Sequence, residues 1–442
     1  MGEHPVVVIG AGPVGLAAAA HLAERGLDFV VLESGPGVAA AVDEWRHVKL
    51  FSPWRYDIDA AARRLLEANG WTEPDLGTLP TGGDLIDAYL LPLAKTPQLD
   101  GKIQYGAEVV AITRAGFDRV RTAGRADAPF LIRLADGTEL LASSVVDASG
   151  TWRTPNVLGA SGIPARGEGS GVALPSQIAH ALPDVLRVDR DRYAGRRTAV
   201  VGAGHSAATT LLDLGRLAEQ APGTEIVWVV RGTDQARTYG GGGADELPAR
   251  GALGSRLKKL VHSGHIELVS SFRIESVAVT NGRVELTSGD RTVVADTVVN
   301  STGFRPDHSI VSELRLDLDP ILSSTRALAP LIDPNKHSCG TVPPHGVDEL
   351  SHPEPGYYAV GAKSYGRAPT FLLATGYEQA RSVVAALADD WTAARAVELN
   401  LPQTGVCSSN PAPASEVVDV TAGRGLQGGL LTVIEKQSGC CN

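Results

Sequence analysis

The chain has 442 residues, of which 43% are hydrophobic and 20% are charged, and its formal net charge is −10. This balance is typical of a globular chain with room for about two to three domains, and it excludes a largely disordered or fibrous protein. Because the net charge is acidic, no uniform basic surface is available, and neither nucleic acid nor a membrane is expected as a partner.

The N-terminal residues predict a cytoplasmic protein. The chain passes from Met1 straight into the apolar residues 6–9, without a leader or a cleavage site, and the apolar run stops at Gly10. A run of this length is far too short to cross a membrane. No two of the four cysteines stand in a C-x-x-C spacing, and structural disulfides are not expected.

A glycine turn follows the first predicted strand. Residues 6–9 form this strand and residues 16–25 an Ala-rich helix, with Gly10, Gly12 and Gly15 between them. In a dinucleotide-binding turn of this spacing, the first glycine makes the turn and the second lets a pyrophosphate approach the backbone. The third glycine lets the helix pack closely on the strand.

The strand after this helix ends in an acidic residue. Residues 28–32 are mostly apolar, and Glu33 follows them eighteen positions after Gly15. A carboxylate at this place accepts hydrogen bonds from the ribose of a dinucleotide. Together, the strand, turn, helix and acid predict a nucleotide site rather than a glycine-rich turn without a ligand.

The middle of the first half has strand patterns. Residues 102–114 and 130–141 alternate between polar and apolar side chains, which predicts antiparallel strands with a turn at Asp136-Gly137. Residues 145–150 are typical of a buried strand that ends in a tight turn.

The strand, turn and helix pattern occurs a second time over residues 198–220. Gly202 and Gly204 repeat the first two glycines, and an alanine takes the third place, which the motif tolerates. The sequence therefore predicts a second nucleotide site.

The strand after the second turn indicates which nucleotide binds there. Residues 225–230 end in Arg231 where the first copy has an acid. An arginine at this place suits the 2′-phosphate of NADP, and Arg237 can assist it. The alternative is a solvated surface arginine.

The last third of the chain predicts a return to the first domain. Residues 297–303 repeat the strand ending, and a short strand over 357–360 leads through a loop into a helix beginning near Phe371 or Leu372. After Trp391 the chain is typical of a linker or tail, with a late hairpin between 417 and 434 left open.

Over residues 5–390 the sequence resembles the two-dinucleotide-binding-domain flavoproteins, which include flavin-containing monooxygenases, thioredoxin reductase and mercuric reductase. The resemblance rests on the two glycine turns, the strand ending 147–150, the segment 301–307, and the late Val360-Gly361 turn before residues 376–380. It implies that the first turn binds FAD and the second NADPH. It also implies that the late helix points its N-terminus at the flavin, where it stabilises negative charge.

The linker before the second turn, Tyr193 to Arg197, is most similar to flavin-dependent monooxygenases, among them relatives found in arsenic-resistance systems. Two features depart from that pattern. His180 lacks the aromatic and glycine neighbours of the monooxygenase fingerprint, and residues 50–54 contain no asparagine where such enzymes use one in their oxygen chemistry. The terminal electron acceptor is therefore open.

The implied fold class is α/β, with two Rossmann-like, three-layer ββα nucleotide-binding domains. The FAD domain is discontinuous and covers residues 1–157 and 300–390. The NAD(P)H domain is inserted at residues 158–299, and residues 391–442 form a C-terminal linker or tail.

The candidate catalytic residues are Ser52, His47 and Lys363, which are expected beside the flavin, although His47 also fits a structural role. Arg46 and Trp54 either contact FAD or pack between domains. The full set of predicted cofactor-binding residues is Gly10, Gly12, Pro13, Gly15, Glu33, Ser34, Arg46, Trp54, Val109, Ser149, Gly150, Gly202, Gly204, His205, Ser206, Arg231, Arg237, Thr302, Gly303, Gly361 and Phe371.

Adjacent cysteines, Cys440 and Cys441, stand near the C-terminus. They resemble the tail of mercuric reductase, where thiolates deliver a soft metal to the flavin site. The alternative is an incidental pair on a frayed end. No other metal site is predicted.

The leading functional hypothesis is an NADPH-dependent FAD oxidoreductase of the monooxygenase type, which uses oxygen to oxidise a small-molecule substrate. One alternative is a reductase that passes electrons to a disulfide, quinone, metal or metalloid acceptor. The other is a redox-sensing module that holds both nucleotides without turnover. The sequence predicts neither the substrate nor the oligomeric state.

Overall fold

The structure is a computed structural model that describes residues 3–169, 176–240, 248–336, 342–368 and 371–399. All four cysteines and the predicted late hairpin lie outside these ranges. In chain order, the strands within these ranges are β1 (Val6–Ile9), β2 (Phe29–Glu33), β3 (Ile103–Tyr105), β4 (Val109–Arg114), β5 (Phe130–Leu134), β6 (Glu139–Ala142), β7 (Ser144–Asp147), β8 (Ile178–His180), β9 (Arg197–Val201), β10 (Glu225–Val229), β11 (Glu267–Val269), β12 (Ser276–Thr280), β13 (Arg283–Ser288), β14 (Arg291–Ala295), β15 (Thr297–Asn300) and β16 (Tyr357–Ala359).

The α-helices of the same ranges are α1 (Pro13–Glu24), α2 (Ala40–Asp43), α3 (Ala60–Ala68), α4 (Gly82–Leu85), α5 (Leu91–Ala94), α6 (Arg190–Tyr193), α7 (His205–Gln220), α8 (Ala236–Tyr239), α9 (Pro248–His262), α10 (Ala329–Ile332), α11 (Val347–Leu350), α12 (Leu373–Leu387) and α13 (Trp391–Arg395). Short 3₁₀ turns cover Trp54–Tyr56, Ser309–Val311 and Gly361–Lys363, and a π-helical turn covers Ile86–Leu90. No helix of the described ranges is long and apolar enough to span a bilayer.

The first sheet is parallel, and its strands stand in the order β16-β7-β1-β2-β3. All four residues of the central strand β1 are buried, as expected for a strand covered on both faces. The prediction that residues 102–114 form antiparallel strands is wrong for β3, which pairs in parallel with β2. Glu33 pairs with Tyr105 at the end of this ladder, and the alternation of so short a strand gives no information on its partner.

Two further layers cover the first sheet. On one face lies the antiparallel sheet β4-β5-β6, whose Ile112, Phe130 and Ile132 pack with Val7 and Ile9 of β1. On the other face, the cluster that contains Val6 and Val8 includes α1, α3 and α12. The helix α1 begins three residues earlier than predicted, because proline is favoured at the first helical position.

The second sheet repeats this arrangement, with the parallel order β11-β10-β9-β15-β8. The antiparallel sheet β12-β13-β14 covers one face, and α7 and α9 cover the other. The predicted fold class, with two three-layer Rossmann-like units, is confirmed. The exact domain boundaries stay a prediction.

Candidate nucleotide-binding sites

The first turn, residues 10–15, leaves the carboxyl end of β1 and enters α1. Gly10 has a φ of +94°, and a Cβ there would stand 2.9 Å from the Ala148 carbonyl oxygen. A Cβ on Gly15 would stand 1.9 Å from the Gly10 carbonyl oxygen, so only glycine lets the helix lie this close to the strand. At Gly12, by contrast, a Cβ would meet no described atom within 4 Å. The middle glycine therefore borders open space, as the motif requires.

Glu33 holds the first turn from the end of β2. Its carboxylate is 7% exposed and accepts hydrogen bonds from the backbone N–H groups of Ala11 and Gly35, both at 2.7 Å. The Ser34 hydroxyl lies 3.5 Å from the same carboxylate. Because a carboxylate has about four acceptor positions, Glu33 can hold the turn and still accept from ribose hydroxyls.

The N-terminus of α1 supplies donors beside the open space. Pro13 occupies the first helical position and has no N–H, and Gly12 caps the helix without a side chain. The next N–H groups of the helix have no partner within it and carry the positive end of its dipole. This end of a twelve-residue helix is suited to an anionic group such as a pyrophosphate.

The second turn, residues 202–207, has the same construction at the carboxyl end of β9. Gly202 has a φ of +138°, and a Cβ there would stand 2.1 Å from the Ser301 carbonyl oxygen, whereas a Cβ on Gly204 would meet no described atom within 4 Å. The sixteen-residue helix α7 begins at His205, so His205 and Ser206 form its first turn. Sequence reasoning missed Trp228, whose indole N–H donates to the Gly202 carbonyl at 2.7 Å.

One of the two predicted arginines follows β10, and the other belongs to the short helix α8. Arg231 is exposed and follows β10 by two residues. Arg237 belongs to α8, and the neighbouring Thr238 donates to the Ala203 carbonyl at 2.8 Å, which holds α8 against the turn. Their contact with a 2′-phosphate stays a prediction.

Lys363, a catalytic candidate, does not face open space. Its side chain is 1% exposed, and its ammonium donates to Asp147 at 2.6 Å and to the Ser149 hydroxyl at 3.1 Å. Tyr357 also donates to Asp147, at 2.9 Å. Burial alone would raise the pKa of Asp147, but the charge and hydrogen bonds of Lys363 and Ser149 hold this pKa below its usual value. Lys363, expected beside the flavin, is therefore held in a buried ion pair, and its catalytic role stays a prediction.

Ser52 is paired with a carboxyl group that sequence reasoning missed. Its hydroxyl donates to Asp57 Oδ1 at 2.8 Å, and Asp57 Oδ2 has no hydrogen-bond partner among the described residues. Asp57 is 1% exposed, and burial raises its pKa to about 7, although the Ser52 hydrogen bond opposes the rise. The Tyr377 hydroxyl donates to the Asp57 carbonyl at 2.8 Å, which connects this segment to α12. The only signal in the sequence was an acid amid large apolar residues.

The segment around Ser52 reaches the second turn. The rings of Phe51 and His205 are 5.1 Å apart, so Phe51 contacts the start of α7. Burial raises the pKa of Asp213 on α7, and Arg216 and His47 oppose that rise, which places His47 near the same helix. His47 is half-buried. The structure thus brings His47 and Phe51, the neighbour of Ser52, close to α7, the helix that follows the second turn.

Arg46 and Trp54 have different surroundings. The Arg46 guanidinium is half-exposed and pairs with Asp43 at 3.2 Å and Asp87 at 2.9 Å. Trp54 is 4% exposed and packs in the core beneath the first sheet, which favours its packing role. Val109 is buried at the start of β4.

The late turn lies against the first turn. Gly361 has a φ of +72°, and a Cβ there would stand 3.3 Å from the Val14 side chain. A Cβ on Gly376 of α12 would stand 2.6 Å from both Val14 and Phe371. The Phe371 ring packs edge-on against Tyr365 at 5.3 Å. The prediction of a late helix is confirmed by α12, which begins at Leu373.

Two connections join the sheets, and they are bound to each other. Gly150 and Gly303 have φ values of +70° and +92°, which form the sharp turns after β7 and β15. Asn156 donates to the Thr302 carbonyl at 3.0 Å, and Asn300 donates to the Asn156 carbonyl at 2.8 Å. Sequence reasoning named Thr302 and missed both asparagines.

Two parallel sheets, each with a glycine turn at the end of its central strand, define a protein with two dinucleotide-binding folds. The chain belongs to the pyridine nucleotide-disulphide oxidoreductase family, which matches residues 7–339. The predicted class, a flavin-dependent oxidoreductase with flavin and pyridine nucleotide as its cofactors, is confirmed.

One curated relative is the indole-3-pyruvate monooxygenase YUCCA1 of Oryza sativa subsp. japonica, to which the chain is 29% identical over 210 residues. The match covers 48% of this chain and 45% of that protein, so it spans less than half of the relative's length.

Several solved structures share the fold. A bacillithiol disulfide reductase Bdr (YpdA) from Bacillus cereus aligns with a TM-score of 0.64 at 17% identity, over 87% of this chain and 99% of that one. A flavin-containing monooxygenase from Stenotrophomonas maltophilia aligns with a TM-score of 0.56 at 20% identity, over 89% of this chain and 100% of that one. At these identities the likeness establishes the fold alone.

Proposed function

We propose that the protein is an NADPH-dependent FAD oxidoreductase that uses oxygen to oxidise a small-molecule substrate. The observation that carries the proposal is the pair of glycine turns. Each begins at a central strand, leaves open space at its middle glycine, and ends in the N-terminus of a helix of at least twelve residues.

FAD fits the first turn. Gly12 leaves room for the pyrophosphate, the first N–H groups of α1 donate to it, and Glu33 accepts from the ribose. When bound, FAD accepts a hydride and passes the electrons to a second acceptor. The residues of the first turn, α1 and β2 bind and orient the cofactor.

NADPH fits the second turn. Gly204 leaves the same room, α7 supplies the donors, and Arg231 stands where the first turn has its acid. An exposed guanidinium forms charge-assisted bonds with a 2′-phosphate, while a carboxylate would repel it. The Phe51 ring contacts His205 at the start of α7, so we expect the segment that carries Phe51 to border the bound NADPH.

Oxygen as the acceptor is supported by two observations. The chain has no cysteine before Cys339, so the residues of the two sheets cannot form a redox disulfide among themselves. The curated relative is named as a monooxygenase. The cysteine pair at 440 and 441 lies outside the described residues and stays a candidate soft-metal site.

Two matched variants test the nucleotide assignments. Because both middle glycines border open space, Gly12→Val and Gly204→Val should fold like the wild type by circular dichroism. Gly12→Val should lose FAD, seen as loss of the yellow colour, while Gly204→Val should keep FAD and bind NADPH at least about tenfold more weakly. A Gly12→Val protein with full FAD content would refute the first assignment.

The acceptor is tested by stoichiometry. A monooxygenase consumes one O₂ and one NADPH for each substrate oxygenated, and the second oxygen atom leaves as water. NADPH oxidation without oxygen uptake, in the presence of a quinone, disulfide or metal acceptor, would identify a reductase instead. Bound nucleotides with no turnover would identify a sensor.

A further inference from the structure

A buried amide stands behind the late turn. Gln379 lies in the middle of α12 and has no solvent exposure, 0%. Its side chain reaches from the helix to the backbone of Gly361, where its Oε1 accepts the N–H at 2.8 Å. Neither Gln379 nor its side-chain partners His345 and Ser364 were among the predicted site residues.

The orientation of this amide is fixed by its other partners. His345 lies 3.0 Å from the Pro343 carbonyl through Nδ1, so Nδ1 carries the proton and donates to that oxygen. Its Nε2 is then an acceptor, and it receives the Gln379 Nε2 at 2.9 Å. Desolvation lowers the pKa of His345, which keeps the ring neutral. Because the Gly361 N–H can only donate, the Gln379 carbonyl must point at Gly361, and the acceptor Nε2 of His345 matches this orientation.

Ser364 closes the network. Gln379 Nε2 also donates to the Ser364 hydroxyl at 2.9 Å, and that hydroxyl donates to the Gly361 carbonyl at 2.8 Å. Both backbone polar groups of Gly361 are thus held from one side, each by a buried side chain.

The restrained residue is the one that lies against the first turn. Gly361 has the left-handed φ of +72°. The side on which a Cβ would lie faces Val14, which belongs to the Gly10–Gly15 turn. Gly376, one helical turn before Gln379, is in the same contact. A shift of Gly361 therefore acts directly on the first residues of α1.

We propose that Gln379, oriented by His345, is a positioning residue that fixes the Gly361 turn against the first glycine turn and so shapes the first nucleotide site. That the occupant of this site is FAD rests on the proposed function. The amide network acts through the backbone, and Gln379 itself touches no nucleotide.

The test uses the full-length chain with Gln379→Met, Gln379→Glu and the matched control Gln104→Met, in which the glutamine is exposed on β3. Amide hydrogen exchange at Gly361, measured by mass spectrometry, and FAD affinity are the two readouts. Gln379→Met removes the acceptor of a buried N–H, which should speed exchange and weaken FAD binding by about tenfold each. Gln379→Glu keeps an acceptor for the Gly361 N–H but loses both amide donors, so its Gly361 exchange should speed less than that of Gln379→Met. Gln104→Met should stay within about threefold of the wild type.

Unchanged exchange at Gly361 in Gln379→Met would overturn the proposal, as would equal losses in Gln379→Met and Gln379→Glu. If Gln379→Met fails to fold by circular dichroism, His345→Ala takes its place, since it removes the ring that orients the amide and leaves Gln379 itself intact. His345→Ala should speed Gly361 exchange in the same direction, and wild-type exchange in it would also overturn the proposal. A wild type that takes up no FAD refutes the proposed function, while Gly361 exchange still decides the role of Gln379.

Discussion

Replacing Lys363 by methionine tests whether this residue serves structure or catalysis. The substitution removes the ammonium and keeps a chain of similar length. Asp147, which is 0% exposed, would then keep only the neutral donors Ser149 and Tyr357. Breaking a buried ion pair by removing one partner costs about 3–5 kcal/mol. That is a large part of the ordinary stability of a folded domain, about 5–15 kcal/mol.

The loss of folding stability in Lys363→Met should depend on pH. Without the ammonium, burial raises the pKa of Asp147, so the variant is least stable relative to the wild type at neutral and higher pH. As the pH falls the carboxyl group takes up a proton and the difference shrinks. The assay is urea unfolding, followed by circular dichroism, at about pH 5 and about pH 8.

Two controls decide the interpretation. The double variant Lys363→Met with Asp147→Asn removes both charges and should recover most of the lost stability. Lys102→Met breaks an exposed pair with Asp28 at 2.7 Å and should cost no more than about 1 kcal/mol. The reasoning fails if Lys363→Met unfolds like the wild type, or if the double variant is no more stable than the single one. A stable double variant that binds FAD and has no turnover would restore a catalytic role to Lys363.

Three further outcomes are expected. Gly15→Ala should lower the free energy of unfolding by about 1–3 kcal/mol or more, because its Cβ would stand 1.9 Å from the Gly10 oxygen, while Gly12→Ala should be near neutral in thermal unfolding. Burial raises the pKa of Asp57 from 3.8 to about 7, so the folded state loses stability as the pH rises through this window. Asp57→Asn should therefore stabilise the protein at pH 8 by up to about 4 kcal/mol and change little at pH 4, and equal stability at pH 8 would contradict the burial argument. Arg231→Ala should weaken NADPH binding by about ten- to a hundredfold and leave NADH nearly unchanged, as measured by titration; equal use of both nucleotides by the wild type would refute this role.

Much of the fold was predictable from the sequence because the glycine turns encode backbone geometry locally. Gly10 is favoured as glycine by its own backbone φ, and Gly15 by its contact with the Gly10 carbonyl five positions earlier, so both reasons are local in sequence. The buried strand β7, which ends at Asp147 before a tight turn, and the late helix α12 were predicted from the same kind of local pattern.

Partners far apart in the chain were not predictable. Lys363 and Asp147 are separated by 216 positions, and nothing near either residue indicates that the two charges neutralise each other. The parallel pairing of β3 with β2 was missed for the same reason. Asp57 was missed although it is buried, and its backbone carbonyl accepts from Tyr377 of α12, which lies 320 positions further along.

The hydrogen bonds between the two connections have a consequence for how this chain can be assembled. The backbone of Asn156 donates to the Gly303 carbonyl at 2.9 Å, and that of Arg305 donates to the Thr154 carbonyl at 3.0 Å. The long segment between these two connections, which carries the second sheet, therefore enters and leaves the unit of the first sheet at a single point. Once the unit of the second sheet has folded, its two ends lie together. Closing this segment then costs the first-sheet unit the entropy of a short loop rather than that of a loop of about 150 residues. Folding of the second-sheet unit is thus expected to bring together the two chain segments that flank it. The strands of the first sheet on either side of it can then pair as if they were neighbours in sequence.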